Sequence, residues 1–173
     1  MKTYEPVKDT LDIKAVFPKV METLFQEDKD VIYLDADLMN SFGTGGFPKK
    51  YPDQAIDMGI QEANMVGVAA GMSAEGKKPY VHSFGPFASR RVYDQVFMSV
   101  AYAKNSVRII GSDPGITAAY NGGTHMPFED VALYRDIRDR MLGGAEAAST
   151  LVVVAGLANP DWLVEIEAIA AKG

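Results

Sequence analysis

The sequence has no cysteine among its 173 residues, which excludes disulfides, thiol nucleophiles and thiolate metal sites. It has only two histidines, His82 and His125, so little is available for a histidine-based metal centre, and we expect no metal site in this chain. It also lacks any long run of basic residues, and its formal net charge is −6. Nucleic acid is therefore not an expected partner.

Long apolar runs are missing as well, and no segment reaches the length of a membrane span. The first ten residues, MKTYEPVKDT, are charged and have no apolar signal-peptide core, so we expect a cytoplasmic protein without a membrane partner. The balance of 47% hydrophobic and 23% charged residues is that of an ordinary globular protein. The length fits one domain, or slightly more.

The apolar residues alternate between helical spacing and short continuous runs. Helices are predicted over residues 12–25, 59–74, 90–102 and 127–137, and strands over residues 31–34, 80–84 and 107–111. Alternating helices and buried strands predict the α/β class, with a mostly parallel sheet in a three-layer α/β/α arrangement.

Residues 40–53 form a Gly- and Pro-rich segment without helical or strand periodicity. Gly43, Gly45 and Gly46 suggest a phosphate loop, but Pro48 and Pro52 follow where a helix N-terminus would have to hold the anion. A mobile loop is the prediction that we favour over a phosphate cradle.

An acidic residue lies on the apolar face of the second predicted helix. Glu62, Val66 and Ala70 share one stripe at i, i+4 and i+8, so the carboxylate faces the same way as the core. Asp57 is the expected cap of this helix, and Gly76 its expected end. Alternatively, Glu62 is a half-solvated acid of the first turn that favours the positive end of the helix dipole.

Two aromatic residues, Phe84 and Phe87, follow the next strand and are expected to form an apolar wall near the same helix end. A carboxylate beside aromatic rings, here Glu62, is a candidate acid or base. Asp37 follows the first strand, at the edge where open α/β sheets bind ligands, although a solvated loop acid is the alternative. His125 lies in a loop and is either a solvated residue or a catalytic one.

Two stretches of this sequence resemble the pyrimidine-binding domain of transketolases, especially the short prokaryotic subunits whose domains lie on two chains. They are GIQEANMVGVAAGMSAEGKKPYVHSFGPFASRRVYDQ (residues 59–95) and NSVRIIGSDPGITAAYNGGTHMPFEDVALYRDI (residues 105–137). A G-I-x-E helix, an F-x-x-F strand exit and a G-x-T-H loop occur in the family's order, and the likeness covers about residues 12–137. It implies the thiamine-diphosphate-binding fold and transfer of a two-carbon ketol unit between sugar phosphates.

The resemblance implies a role for each matching residue. Glu62 matches the glutamate that hydrogen-bonds N1′ of the aminopyrimidine of thiamine diphosphate and so promotes loss of the C2 proton of the thiazolium. Phe84 and Phe87 match the aromatic residues that pack against the pyrimidine ring. Asp37 matches an acid near the cofactor, and His125 matches a histidine that faces the substrate.

Departures from the family leave the substrate open. Asp113 stands where many transketolases have a histidine, and Asn121 where they have an aspartate that contacts a sugar hydroxyl; both are candidate substrate-binding residues. In the family a Gly-Asp-Gly motif on a separate domain holds the diphosphate and its Mg²⁺, and no Gly-Asp-Gly occurs here. A diphosphate-binding partner chain and a homo- or hetero-oligomer are therefore expected, with no activity alone. The alternative is a non-catalytic, truncated or chimeric domain that keeps only the fold.

The likeness to the transketolase domain ends near residue 137. We therefore divide the chain into a domain at residues 1–137 and an atypical tail at residues 138–173. The tail resembles the C-terminal hairpin of the Rid family of enamine and imine deaminases, with Glu165 matching the active-site glutamate and Ser149 standing where active members often carry arginine. We expect a structural strand or hairpin that packs on the sheet or extends it, although residues 163–171 also tolerate a helix. A fusion or an engineered junction stays open, and deaminase activity is a third hypothesis.

Overall fold

A four-stranded parallel sheet is the centre of the protein. The computed structural model describes residues 13–142, 149–153 and 165–169. The strands are β1 (Val31–Asp35), β2 (Ala55–Asp57), β3 (Lys78–Phe84) and β4 (Arg108–Ser112), in the spatial order β2, β1, β3, β4. Asp35 is in register with His82, and Phe84 with Ser112, so the strands end along one edge. The predicted α/β class with a mostly parallel sheet is confirmed.

Helices connect the strands. They are α1 (Ile13–Glu27), α2 (Phe47–Lys50), α3 (Glu62–Ala74), α4 (Gly85–Ala88), α5 (Tyr93–Gln95) and α6 (Asp130–Leu142). Further 3₁₀ turns occur at Arg90–Val92, Ala119–Asn121 and Gly123–His125, and a π-helix at Val96–Tyr102. No helix in the described part of the chain is long and apolar enough to cross a membrane.

The sheet carries a hydrophobic cluster on each face, because successive strand residues point to opposite sides. On one side Val31 and Tyr33 pack with Met21 and Phe25 of α1. On the other side Ile32, Leu34 and Val81 pack with the buried residues of α3 and of the helical segment that follows α4. Helices on both faces of the sheet make the expected three layers.

Strand β2 was not expected from the sequence. It is only three residues long, too short for a periodic pattern, and it pairs in parallel with β1. Asp57 ends this strand, so the expectation that it caps the next helix is wrong. Its carboxylate accepts hydrogen bonds from the backbone N–H groups of Asp37 (3.1 Å) and Gly59 (2.9 Å), and α3 begins later, at Glu62.

Residues 40–53 contain a helical turn, which the lack of periodicity did not indicate. Pro48 lies in the first turn of α2, where the missing N–H of proline costs nothing. Phe47 is buried and packs edge-on against the rings of Phe25 and Tyr33. The buried side chain of Phe47 attaches this segment to the core, although the segment has no helical periodicity.

The helix predicted over residues 90–102 is broken into three types. A 3₁₀ turn, one turn of α-helix and a π-helix follow one another. Val92, Val96 and Val100 are nevertheless buried, as the predicted apolar face requires. Hydrophobic spacing identifies the buried face but does not distinguish these helix types.

The two described segments of the tail form an antiparallel pair, β5 (Ser149–Val153) and β6 (Glu165–Ile169). The strand alternative therefore holds for residues 165–169. Within the described residues this pair is a separate two-stranded sheet and does not extend the four-stranded one. The side chains of Ser149 and Glu165 lie outside the described part, and the boundary at residue 137 stays a prediction.

Candidate active site

Glu62 is a buried carboxylate at the first turn of α3. Its side chain is 3% exposed, so the half-solvated alternative is wrong. The hydroxyl of Ser83 donates a hydrogen bond to Glu62 Oε1 (2.9 Å), and Arg91 Nη1 donates to Oε2 (2.8 Å). Val66 and Ala70, on the same stripe of α3, are also buried and hold this face of the helix against the sheet. Both carboxylate oxygens of Glu62 therefore have fixed partners.

Arg91 links this carboxylate to an aromatic ring. The centre of its guanidinium lies 3.7 Å from the centre of the Phe87 ring, a short cation–π contact. Phe87 lies in α4, and Arg91 follows four residues later in the 3₁₀ turn Arg90–Val92. Glu62, Arg91 and Phe87 thus form a continuous contact chain from buried carboxylate to ring.

His125 packs on the same aromatic wall. Its ring centre lies 5.4 Å from that of Phe84 and 5.0 Å from that of Phe87, both in edge-to-face geometry. Phe84 and Phe87 are themselves 6.2 Å apart and tilted by 67°. The structure therefore brings His125 onto the wall of Phe84 and Phe87. Arg91 joins this wall to Glu62.

A glycine allows the loop that carries His125 to approach the wall. A Cβ atom on Gly85 would lie 2.8 Å from Cγ of Pro127, closer than real Cβ atoms come to another atom. Pro127, two residues after His125, therefore packs directly on the backbone of α4. Any side chain at position 85 would push the histidine loop away from Phe84 and Phe87.

Arg90 forms two hydrogen bonds with the same loop. Its Nη1 donates to Glu129 Oε1 (2.8 Å), and its Nη2 donates to the carbonyl oxygen of Thr124 (3.1 Å). The Thr124 hydroxyl in turn lies 2.9 Å from Nδ1 of His125. Partial burial alone would raise the pKa of Glu129, but the hydrogen bond from Arg90, together with backbone hydrogen bonds, outweighs it and lowers that pKa.

Three further residues, Asp37, Asp113 and Asn121, were expected in the site from the sequence. Asp37 is exposed, with a left-handed backbone (φ 63°). Asp113 forms an ion pair with Lys14 at 2.9 Å, and its side chain is 12% exposed. Asn121 is exposed at the end of a 3₁₀ turn. Among the described residues, no hydrogen bond joins any of these three side chains to Glu62 or His125.

A second polar cluster lies on the opposite face of the sheet and was missed by sequence reasoning. Asp35 Oδ2 accepts a hydrogen bond from the Tyr33 hydroxyl (2.6 Å) and lies 2.7 Å from His82 Nδ1, and its Oδ1 accepts from the Leu38 N–H (2.5 Å). Tyr33, Asp35 and His82 are fully buried, and Phe42 stacks on the imidazole at 3.9 Å. Burial, and then the charge of Asp35, raises the pKa of Tyr33.

Sequence reasoning also missed Ser83 and Arg91, the two partners of Glu62. Strand alternation was the available signal for Ser83, since residue 83 faces the same side as Val81 and therefore α3. Arg91 carried no such signal, because its position depends on the irregular turns after α4. No group of histidine, aspartate and glutamate suited to a metal ion occurs in the described part of the chain.

Comparison with known proteins identifies the class of this fold and site. Residues 9–158 match the transketolase pyrimidine-binding domain, and the chain belongs to this family. It is 57% identical over 112 residues to the 6-deoxy-6-sulfo-D-fructose transketolase subunit of Clostridium sp. (strain MSTE9), covering 65% of this chain and 35% of that protein. It is 34% identical over 119 residues to an apulose-4-phosphate transketolase subunit of Phocaeicola vulgatus, covering 69% and 38%. The chain thus spans little more than a third of these relatives.

Solved structures show the same fold. A split-gene transketolase, described as an inactive β4 tetramer, superposes with a TM-score of 0.59 at 38% identity, covering 69% of this chain and 38% of that one. The transketolase of Campylobacter jejuni superposes with a TM-score of 0.67 at 20% identity, covering 78% and 22%. The family match extends to residue 158, past the boundary expected at residue 137.

Proposed function

We propose that this chain supplies the pyrimidine-binding half of a thiamine-diphosphate-dependent transketolase and needs a separate diphosphate-binding chain for activity. The observation that carries the proposal is the buried carboxylate of Glu62 beside the aromatic wall of Phe84 and Phe87, with His125 on the same wall. The family membership of residues 9–158 supports it.

The residues present fit an aminopyrimidine ring. Such a ring needs a carboxylate partner for its N1′ atom and flat apolar contacts for its face. Glu62 offers the first and is 3% exposed, and the phenyl rings of Phe84 and Phe87 offer the second. When bound, thiamine diphosphate would supply the nucleophilic carbon chemistry of its thiazolium, and this chain would contribute binding, orientation and proton handling.

In this proposal Glu62 holds a proton in a hydrogen bond to N1′ of the ring. Its carboxylate is well placed for that task, because Ser83 fixes Oε1, and Oε2 is bonded to Arg91, whose guanidinium lies over the Phe87 ring. The phenyl rings exclude water, which strengthens the hydrogen bond that Glu62 makes.

His125 is proposed to act on the substrate side. With Nδ1 engaged by the Thr124 hydroxyl at 2.9 Å, Nε2 is the nitrogen left for a substrate oxygen. Arg90 and Glu129 fix the loop through the Thr124 carbonyl, so the imidazole is oriented before substrate arrives. It would steady a developing negative charge or move a proton there.

A separate partner chain is part of this proposal. The sequence has no Gly-Asp-Gly motif for a diphosphate and Mg²⁺. Two of its relatives are named as transketolase subunits, which supports an oligomer built from more than one kind of chain. Mg²⁺ would then be held by the partner, together with the diphosphate.

The substrate is proposed to be a ketose with an anionic end group, of which a sugar phosphate is the expected form. One relative is named for a sulfonated sugar and another for a sugar phosphate, so both end groups are candidates. Asp113 and Asn121 remain candidate substrate-binding residues, and both lie on the segment between β4 and His125. The pair of Asp113 with Lys14 fixes the start of that segment.

Reconstitution tests the function directly. Thiamine diphosphate with Mg²⁺ is titrated into the isolated chain, into a diphosphate-binding transketolase subunit, and into their mixture, with fructose 6-phosphate and 6-deoxy-6-sulfofructose as ketol donors. Cofactor binding and ketol transfer are expected only in the mixture, because each chain carries half of the site. A mixture that associates but gains no cofactor affinity would instead support the alternative of a domain that keeps only the fold.

Replacing the histidine separates substrate chemistry from cofactor binding. The His125→Asn variant should retain the cofactor affinity of the reconstituted complex, because Phe84, Phe87 and Glu62 still form the ring site. Ketol transfer should fall by about two orders of magnitude, the usual contribution of one positioned acid–base or oxyanion group. Steady-state kinetics with cofactor titration measures both, and an unchanged rate would remove His125 from the reaction.

A further inference from the structure

We propose that Arg91 is a built-in occupant of the pyrimidine site, which the cofactor ring displaces when it binds. This proposal rests on the proposed function, in which Arg91 would compete with the cofactor ring for the same place. Arg91 contacts the two groups that would hold the ring: its Nη1 lies 2.8 Å from Glu62 Oε2, and its guanidinium centre 3.7 Å from the centre of the Phe87 ring.

The guanidinium resembles an aminopyrimidine in shape and hydrogen bonding. Both groups are flat, both donate or share a proton with a carboxylate, and both stack on an aromatic face. The guanidinium centre lies 3.7 Å from the centre of the Phe87 ring, so a second flat group cannot stack on that face of the ring while Arg91 is there. Arg91 and the ring are therefore alternatives for one place.

The setting of Arg91 lets it leave without unfolding the site. Its side chain is 42% exposed, so water can solvate the released guanidinium. The side chain of Glu62 is 3% exposed and stays buried. Val92, the next residue, is fully buried and anchors the backbone of the turn. Release consequently requires rotation of one side chain, and Ser83 keeps Oε1 of Glu62 in place throughout.

The contact also explains how a chain with half a site tolerates its buried acid. Without the ring and without Arg91, Glu62 would keep only the Ser83 hydroxyl as a partner, and an ionised carboxylate buried without a cation is costly. Arg91 supplies that cation and covers the phenyl ring. This contact therefore stabilises the site before assembly, and cofactor must compete with Arg91 for it.

The competition predicts tighter cofactor binding when Arg91 is removed. The apparent dissociation constant equals the intrinsic one divided by the fraction of sites that are open. If Arg91 covers about nine sites in ten, the Arg91→Met variant should bind thiamine diphosphate about tenfold more tightly. Isothermal titration of the reconstituted complex with thiamine diphosphate and Mg²⁺ measures this change.

Two further variants make the comparison specific. Arg91→Lys keeps a cation for Glu62 but not the flat fork over Phe87, so it should fold like the wild type and bind cofactor with an intermediate affinity. The matched control is Arg108→Met, because Arg108 also lies over an aromatic ring, that of Tyr80 (5.4 Å), at the opposite end of β3. Its removal should leave cofactor affinity unchanged.

Nuclear magnetic resonance of the arginine guanidinium groups gives a second readout that needs no substitution. The Arg91 signal should show hindered rotation in the cofactor-free chain and free rotation in the loaded complex. Cofactor binding that depends on Glu62, but is unchanged or weaker in Arg91→Met, overturns the displacement and makes Arg91 a holding group. Absence of binding in wild type and variants alike would instead overturn the proposed function and, with it, this inference.

Discussion

The Glu62→Gln substitution should reduce C2 proton exchange of bound thiamine diphosphate, and with it ketol transfer, by about three orders of magnitude in the reconstituted complex. The amide is nearly isosteric with the carboxylate, so the Ser83 hydroxyl retains an acceptor at 2.9 Å. An amide nevertheless cannot hold or pass a proton at N1′ of the ring. Hydrogen–deuterium exchange at C2, followed by quenched-flow sampling, measures the step directly.

A second acid, at the other end of the same helix, provides the matched control for that experiment. Glu75 follows α3 directly and is exposed, so Glu75→Gln removes the same charge far from the aromatic wall. It should leave exchange and transfer unchanged. Urea denaturation should show that Glu62→Gln remains folded, because Arg91 is 42% exposed and can turn to water once its partner is neutral. Normal exchange in folded Glu62→Gln would contradict the proposed role.

Much of this site could be predicted because its residues break simple local patterns. Glu62 is an acid on an apolar helical stripe, and the structure buries it with Val66 and Ala70 as that stripe requires. Phe84 and Phe87 flank a strand end at the edge where parallel sheets bind ligands. In each case the residue type is unusual for its position, and helix or strand geometry determines where its side chain points.

What could not be predicted depends on irregular backbone or on contacts between distant segments. Arg91 reaches Glu62 only because a 3₁₀ turn follows α4, and hydrophobic spacing predicted a regular helix there. Strand β2 is three residues long, so nothing in its sequence distinguished it from a loop. The contact of His125 with Phe87 depends on Gly85 and Pro127, which are 42 positions apart in the chain.

Strand β3 connects the two polar clusters of the sheet. His82 and Ser83 are consecutive, and pleating sends the imidazole toward Asp35 and the hydroxyl toward Glu62. One residue therefore belongs to a buried network that supports the sheet edge, and its neighbour belongs to the candidate active site. Any change that loosens the first cluster shifts the backbone from which Ser83 positions Glu62.

The Asp35→Asn substitution should therefore lower the free energy of unfolding by about 3 kcal/mol. Asp35 accepts on both oxygens, from the Leu38 N–H on one and from the Tyr33 hydroxyl and His82 Nδ1 on the other. Either orientation of an amide puts its NH₂ group against a donor, and Asp35 is fully buried, so water cannot relieve the conflict. Urea denaturation monitored by circular dichroism gives the free energy.

Two variants isolate the cause of that loss. Tyr33→Phe removes one donor and leaves the carboxylate with two others, so it should cost only about 1 kcal/mol. Asp53→Asn changes an exposed acid to the same amide and should be neutral within about 0.5 kcal/mol. A loss for Asp35→Asn no larger than that of Tyr33→Phe would show that the amide finds partners and that the network does not require a charge. The larger loss would show that the ends of β1 and β3, and with them the strand from which Ser83 contacts Glu62, depend on the buried charge of Asp35.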